Sequence, residues 1–119
     1  MADKSKPAST IEVRTGERCY ITEFINDPGT PEVSVARCRV EPGVTTQLHH
    51  LSVIEWYVVE SGHGEMRLGE DPPLRLGPGD TVMIPEGVAQ QITNCGGDDL
   101  VFFCVCVPRF TPDCYVSLE

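Results

Sequence analysis

Between one turn signal and the next, this chain leaves no room for a helix. Its apolar runs, such as "VSVARCRV", "VIEWYVV", "TVMIP" and "LVFFCVCV", are short and rich in β-branched and aromatic residues. They are bounded by "NDPGTPE", "EPG", "ESGHG", "EDPP", "GPGD", "PEG" and "NCGGDD". Eleven glycines and ten prolines supply this punctuation. Proline removes a backbone donor and glycine adds conformational entropy, so neither lets a helix propagate. Further strands are expected at "TIEVR", "RCYITEF", "TTQLHH", "GEMRLG", "LRLG", "AQQITN" and "CYVSL". Many short strands joined by Gly/Pro turns predict an all-β sandwich or small barrel.

A chain of 119 residues builds one core and is too short for two. A single domain over residues 10–119 is expected, preceded by a polar arm at 1–9 that includes Lys4, Ser5, Lys6 and Pro7 and is expected to be flexible. The formal net charge of −9 opposes binding to nucleic acid or to an anionic membrane. The opening "MADKSKPAST" has no apolar stretch of the kind a secretory signal needs, and no apolar run reaches membrane-span length. A cytoplasmic location is expected.

Six cysteines in a short chain raise the question of a disulfide scaffold. Cys38, Cys104 and Cys106 sit inside apolar strands, and no C-x-x-C pair is present. They are expected to be buried, reduced thiols acting as small hydrophobes.

The stretch "GVTTQLHHLSVIEWYVVESG", Gly43 to Gly62, carries the chemistry. A period of two puts Gln47, His49, Leu51, Val53, Glu55, Tyr57 and Val59 on one face. His50, Ser52, Ile54, Trp56 and Val58 take the other. Both faces are largely apolar, so the outer one is expected to meet another layer or a second subunit, most simply in a homodimer.

The spacing of these residues resembles the two signature motifs of the cupin superfamily. In the first motif Gly43 is followed by five residues and His49, then by Glu55 and, six residues later, by Gly62. In the second, Gly79 is followed by "DTVMI", Pro85-Glu86-Gly87, Gln90 and Asn94. The resemblance implies a double-stranded β-helix, the cupin jelly-roll barrel. It also implies a site at the positions where metal-binding cupins have three histidines and a glutamate. Here His49 and Glu55 are kept, while Leu51 and Gln90 stand at the other two positions. His49, Glu55 and Gln90 are thus the candidate ligands of a divalent metal, with fewer strong donors than transition metals normally take. His50 points the other way in a regular strand.

Without a metal, Glu55 and His49 form a candidate acid/base pair, because a carboxyl in an apolar barrel resists ionisation. Gln90, Tyr57 and Gln47 are candidate substrate contacts. A small-molecule ligand in the barrel is expected, and the leading activity is of the isomerase, epimerase or lyase type. A non-catalytic metabolite- or sugar-binding cupin and a metal-dependent dioxygenase stay open beside it. Arg109 is expected to clamp structure and His63 to be a solvated loop residue.

Overall fold

The computed structural model describes residues 11–119; the expected arm at 1–9 lies outside the described residues. The strands are β1 (Val13–Arg14), β2 (Tyr20–Ile25), β3 (Ser34–Val40), β4 (His49–Leu51), β5 (Ile54–Ser61), β6 (Gly64–Leu68), β7 (Leu74–Leu76), β8 (Thr81–Ile84), β9 (Gln90–Asn94), β10 (Leu100–Val107) and β11 (Tyr115–Ser117). One 3₁₀ turn, Pro112–Cys114, precedes β11. All pairings are antiparallel, in a six-stranded sheet ordered β1-β2-β3-β10-β5-β8 and a five-stranded sheet ordered β11-β4-β9-β6-β7.

Each strand has one face turned into the space between the sheets, and alternation follows from the pleat. In β5, Glu55, Tyr57 and Val59 are buried while Ile54, Trp56 and Val58 are exposed. Phe102, Met66, Ile84, Ile92, Leu100 and Val40 fill the core between the sheets. A second cluster of Leu51, Val53, Cys106 and Cys114 closes one end.

One departure from the expected strands, and one corner between them, matter for the site. "TTQLHH" is not one continuous strand: Thr45 makes an isolated bridge to Thr93, and β4 begins only at His49. β4 and β5, expected as separate strands, meet at a corner at Ser52–Val53, where the chain passes from the five-stranded to the six-stranded sheet. Backbone bonds to loops hold that corner, from Ser52 N–H to Cys114 O (2.9 Å) and from Gly87 N–H to Leu51 O (2.7 Å). The inward alternation survives the corner, because His49, Leu51, Val53 and Glu55 are all buried.

Gly62 closes the first motif because nothing larger fits. Its φ is +86°, and a Cβ there would sit 2.5 Å from the backbone oxygen of Asp99. Both the left-handed backbone and the close approach require glycine. All six cysteines are free thiols, and only Cys95 is exposed.

Candidate functional site

The corner at Ser52–Val53 lets two walls converge. His49 comes from β4 of one sheet and Glu55 from β5 of the other, and both line a cavity of about 490 Å³ between the sheets. Leu51, Tyr57, Cys104 and Cys106 line it as well.

His49 is fixed in one tautomer. Its Nδ1 lies 2.8 Å from the backbone oxygen of Gln47, and a carbonyl only accepts, so Nδ1 carries the proton and Nε2 keeps its lone pair. The Tyr115 ring stacks on the imidazole at 4.6 Å between centroids. Burial holds His49 below its ordinary pKa, against the Gln47 bond, which favours the protonated ring. The ring is therefore neutral near pH 7 and has a free basic nitrogen.

Glu55 is 6 % exposed. Burial pushes its pKa up to about 7; the nearby Gln90 amide lowers it, and the Glu17 carboxyl across the cavity raises it. Its Oε2 accepts a long thiol bond from Cys106 (3.7 Å), while its Oε1 is buried with no partner among the described residues. His49 and Glu55 make no hydrogen bond to each other among the described residues, and each lines the cavity from its own sheet.

Gln90 pairs with His49 across β4 and β9 and is fully buried. The Tyr57 hydroxyl donates to Gln90 Oε1 (2.8 Å). That bond sets the amide orientation; Gln90 Nε2 has no hydrogen-bond partner of its own among the described residues, and the amide is near enough to lower the Glu55 pKa. Tyr57 is thus a positioning residue for Gln90, and burial lifts its phenol pKa well above the usual value. Gln47 sits in a recess at the mouth, where its Oε1 accepts from the Tyr115 hydroxyl. His50 lies on the opposite face with a buried, unpartnered Nδ1, and His63 is exposed. Arg109 clamps structure as expected, through Asn26 Oδ1 (2.8 Å) and the Pro31 carbonyl (3.1 Å).

The candidate metal set fits poorly. Leu51, buried on the cavity wall, offers hydrocarbon where a donor would stand, and Gln90 offers only a neutral amide oxygen that already accepts from Tyr57. Among the described residues no three His, Cys, Asp or Glu side chains are arranged to hold a metal ion. His49 and Glu55 alone fall short of the donor count of a tight transition-metal site.

Glu17 and Tyr115 were not legible as site residues. Glu17 belongs to a turn whose approach to the cavity is set by tertiary structure, and the sequence carries no signal for it. Tyr115 could have been suspected only by pairing "CYVSL" with the "HHL" strand, which is the register found.

Comparison with known proteins agrees with this architecture. The family model described as a cupin domain matches residues 36–106. No curated protein matches the chain by sequence. Among solved structures, a PAC13 variant from Streptomyces with uridine superposes with a TM-score of 0.79 at 18% identity, covering 99% of this chain and 93% of that one. PAC13 is described as a nucleoside dehydratase. Oxalate decarboxylase from Bacillus subtilis gives 0.82 at 19% identity, over 99% of this chain but 33% of that longer one. A double-stranded β-helix protein from Klebsiella pneumoniae gives 0.72 at 18% identity, over 96% and 90%.

Proposed function

The chain belongs to the cupin domain family, and from that premise we propose that its cavity performs acid–base chemistry of the isomerase or lyase type on a small molecule. One observation carries the reading. Two proton-transfer groups reach one enclosed space from opposite sheets, a neutral His49 with Nε2 free and a Glu55 whose Oε1 has no partner. A buried polar atom left unpaired is costly unless a ligand completes it.

The roles follow from the protonation states. Neutral His49 is the base, and Glu55, titrating near 7, is the acid. In a dehydration, His49 Nε2 removes a proton from carbon, the C–H electrons form the new double bond, and the C–O bond breaks. Glu55 protonates the departing hydroxyl, which leaves as water; exchange with solvent resets both groups. In an isomerisation the proton returns to a neighbouring carbon instead. Among the solved structures of similar fold is a nucleoside dehydratase, which is consistent with the lyase branch.

The test is turnover of candidate hydroxylated substrates by the wild type, Glu55→Gln and His49→Gln. General acid or base catalysis contributes about 10²–10⁴-fold, so either variant should lose at least about 10² in kcat while staying folded. Equal turnover in all three would refute the assignment. Ligand-dependent thermal stabilisation with no product would instead make this a binding cupin.

The outer face of the six-stranded sheet supports the homodimer expectation. Ile54, Trp56, Val58, Met83 and Val107 form an exposed apolar surface across β8, β5 and β10, with the Arg37–Glu60 ion pair (3.2 Å) on the same sheet. A second copy presenting the same face covers it best, because matched apolar surfaces meet without burying unpaired charge.

A further inference from the structure

Resting on that reading of the cavity, we propose that the site selects a small molecule carrying a protonated amine on an apolar or aromatic body, and that Glu17 is the residue that recognises the charge.

Several observations lead there. Among the described residues lining the cavity, none is lysine or arginine, whereas Glu17, Glu23 and Glu55 all line it. A carboxylate or phosphate would enter with no counter-charge and meet the buried Glu55 and the half-buried Glu17, a like-charge encounter that burial strengthens. Glu55 is more than nine-tenths buried, and its Oε1 lacks a partner, so the site has an acceptor waiting for a donor. A cation is the donor that suits it best, because the cavity lining supplies carboxyl groups and no positive charge.

Glu17 is built into its place. Its carbonyl accepts from Gln47 N–H (3.0 Å) and its own N–H donates to Thr15 Oγ1 (3.2 Å). The turn is closed by Thr15 N–H to the Cys19 carbonyl (2.8 Å). Next in the chain, Arg18 holds a left-handed φ of 69°. Its guanidinium is engaged by both carboxylate oxygens of Glu119 and by the Thr45 carbonyl. The nearest cation in sequence is therefore committed elsewhere, and the Glu17 carboxyl has no ion pair among the described residues. Burial without a partner pushes its pKa up.

Around it stand Phe110 and Tyr115, and all three line both the cavity and the shallower recess at its mouth. A carboxylate beside aromatic rings is the arrangement that recognises ammonium groups, by charge and by the negative face of the ring. The apolar lining deeper in, Leu51 and Phe102 among it, would take the body of the ligand and bring its reacting carbon between His49 and Glu55.

Three probes of one skeleton test the charge alone: phenethylamine, 2-phenylethanol and phenylacetate, titrated by calorimetry into the full chain and into Glu17→Gln. The amine should bind the wild type about tenfold more tightly than the alcohol, equivalent to about 1.4 kcal/mol, and phenylacetate should bind most weakly. Glu17→Gln should bring the amine and the alcohol within about twofold, leaving the alcohol unchanged. Binding of phenylacetate equal to that of the amine, a preference that survives Glu17→Gln, or no binding by any probe would overturn the proposal. Because no turnover is read, such a failure removes the substrate class and leaves the acid–base assignment standing or falling on the kcat of Glu55→Gln.

Discussion

Replacing Glu55 by glutamine should stabilise the protein, and more so as the pH rises. The carboxyl ionises at an ordinary value of 4.5 when exposed and near 7 in the fold, chiefly because burial strips its water. Below about pH 4.5 it is protonated in both folded and unfolded chains and contributes no penalty. Between the two values the unfolded chain releases its proton first, so stability falls as pH rises. Above 7 both states are ionised and the full penalty applies, about 3 kcal/mol at ~1.4 kcal/mol per pH unit. Glutamine keeps the shape and cannot ionise. Urea unfolding followed by circular dichroism, at fixed protein concentration, should show Glu55→Gln gaining roughly 2–3 kcal/mol over wild type between about pH 5 and pH 8. Other titrating groups largely cancel in that difference. A stability difference that does not change with pH would refute the reasoning, because it would mean that Glu55 titrates as an exposed carboxyl.

The remaining predictions use other parts of the structure. Tyr57→Phe removes the donor to a fully buried Gln90 Oε1 and should cost about 1–3 kcal/mol, measured by the same urea unfolding. Leu51→His places an imidazole on the cavity wall beside His49; calorimetry with zinc or nickel should show measurably tighter binding, and unchanged affinity would contradict the inward placement of residue 51. Trp56→Glu puts a charge in the exposed outer face, where Trp56 is 42 % exposed, and should convert a dimer to a monomer in sedimentation velocity. A thiol reagent should modify Cys95 rapidly and the other five slowly until unfolding, since burial raises the Cys106 thiol and Cys104 is pushed up to about 12.

The legible part of this protein was whatever depends on local pattern. Alternation over "VIEWYVV" assigned the faces of β5 correctly, and Gly62 marked a position that only glycine can occupy. His49 and Glu55 could be placed on one inner surface because a period of two survives the corner at Ser52–Val53. The two strands could be told apart, but nothing in the pattern said that they belong to different sheets. Gln90 shows what a motif position leaves unstated. Its motif position puts it beside His49, the register found, while the bond that orients its amide comes from Tyr57 on the other sheet and needs the tertiary structure. Glu17 reaches the cavity through the turn that Thr15, Cys19, Arg18 and Glu119 hold together, and contacts so distant in sequence leave no short-range signal.

The central claim is that His49 and Glu55 share one cavity as base and acid. Side-chain NMR titration tests it without a substrate, using nitrogen-15 histidine and carbon-13 glutamate labels in wild type, His49→Gln and Glu55→Gln. The account predicts that the resonance missing in His49→Gln is a ring protonated at Nδ1 that titrates below 6.5, and that the carboxyl missing in Glu55→Gln titrates near 7. A His49 ring protonated at Nε2, or carboxyls that all titrate between about 4 and 5 as free side chains do, would contradict it.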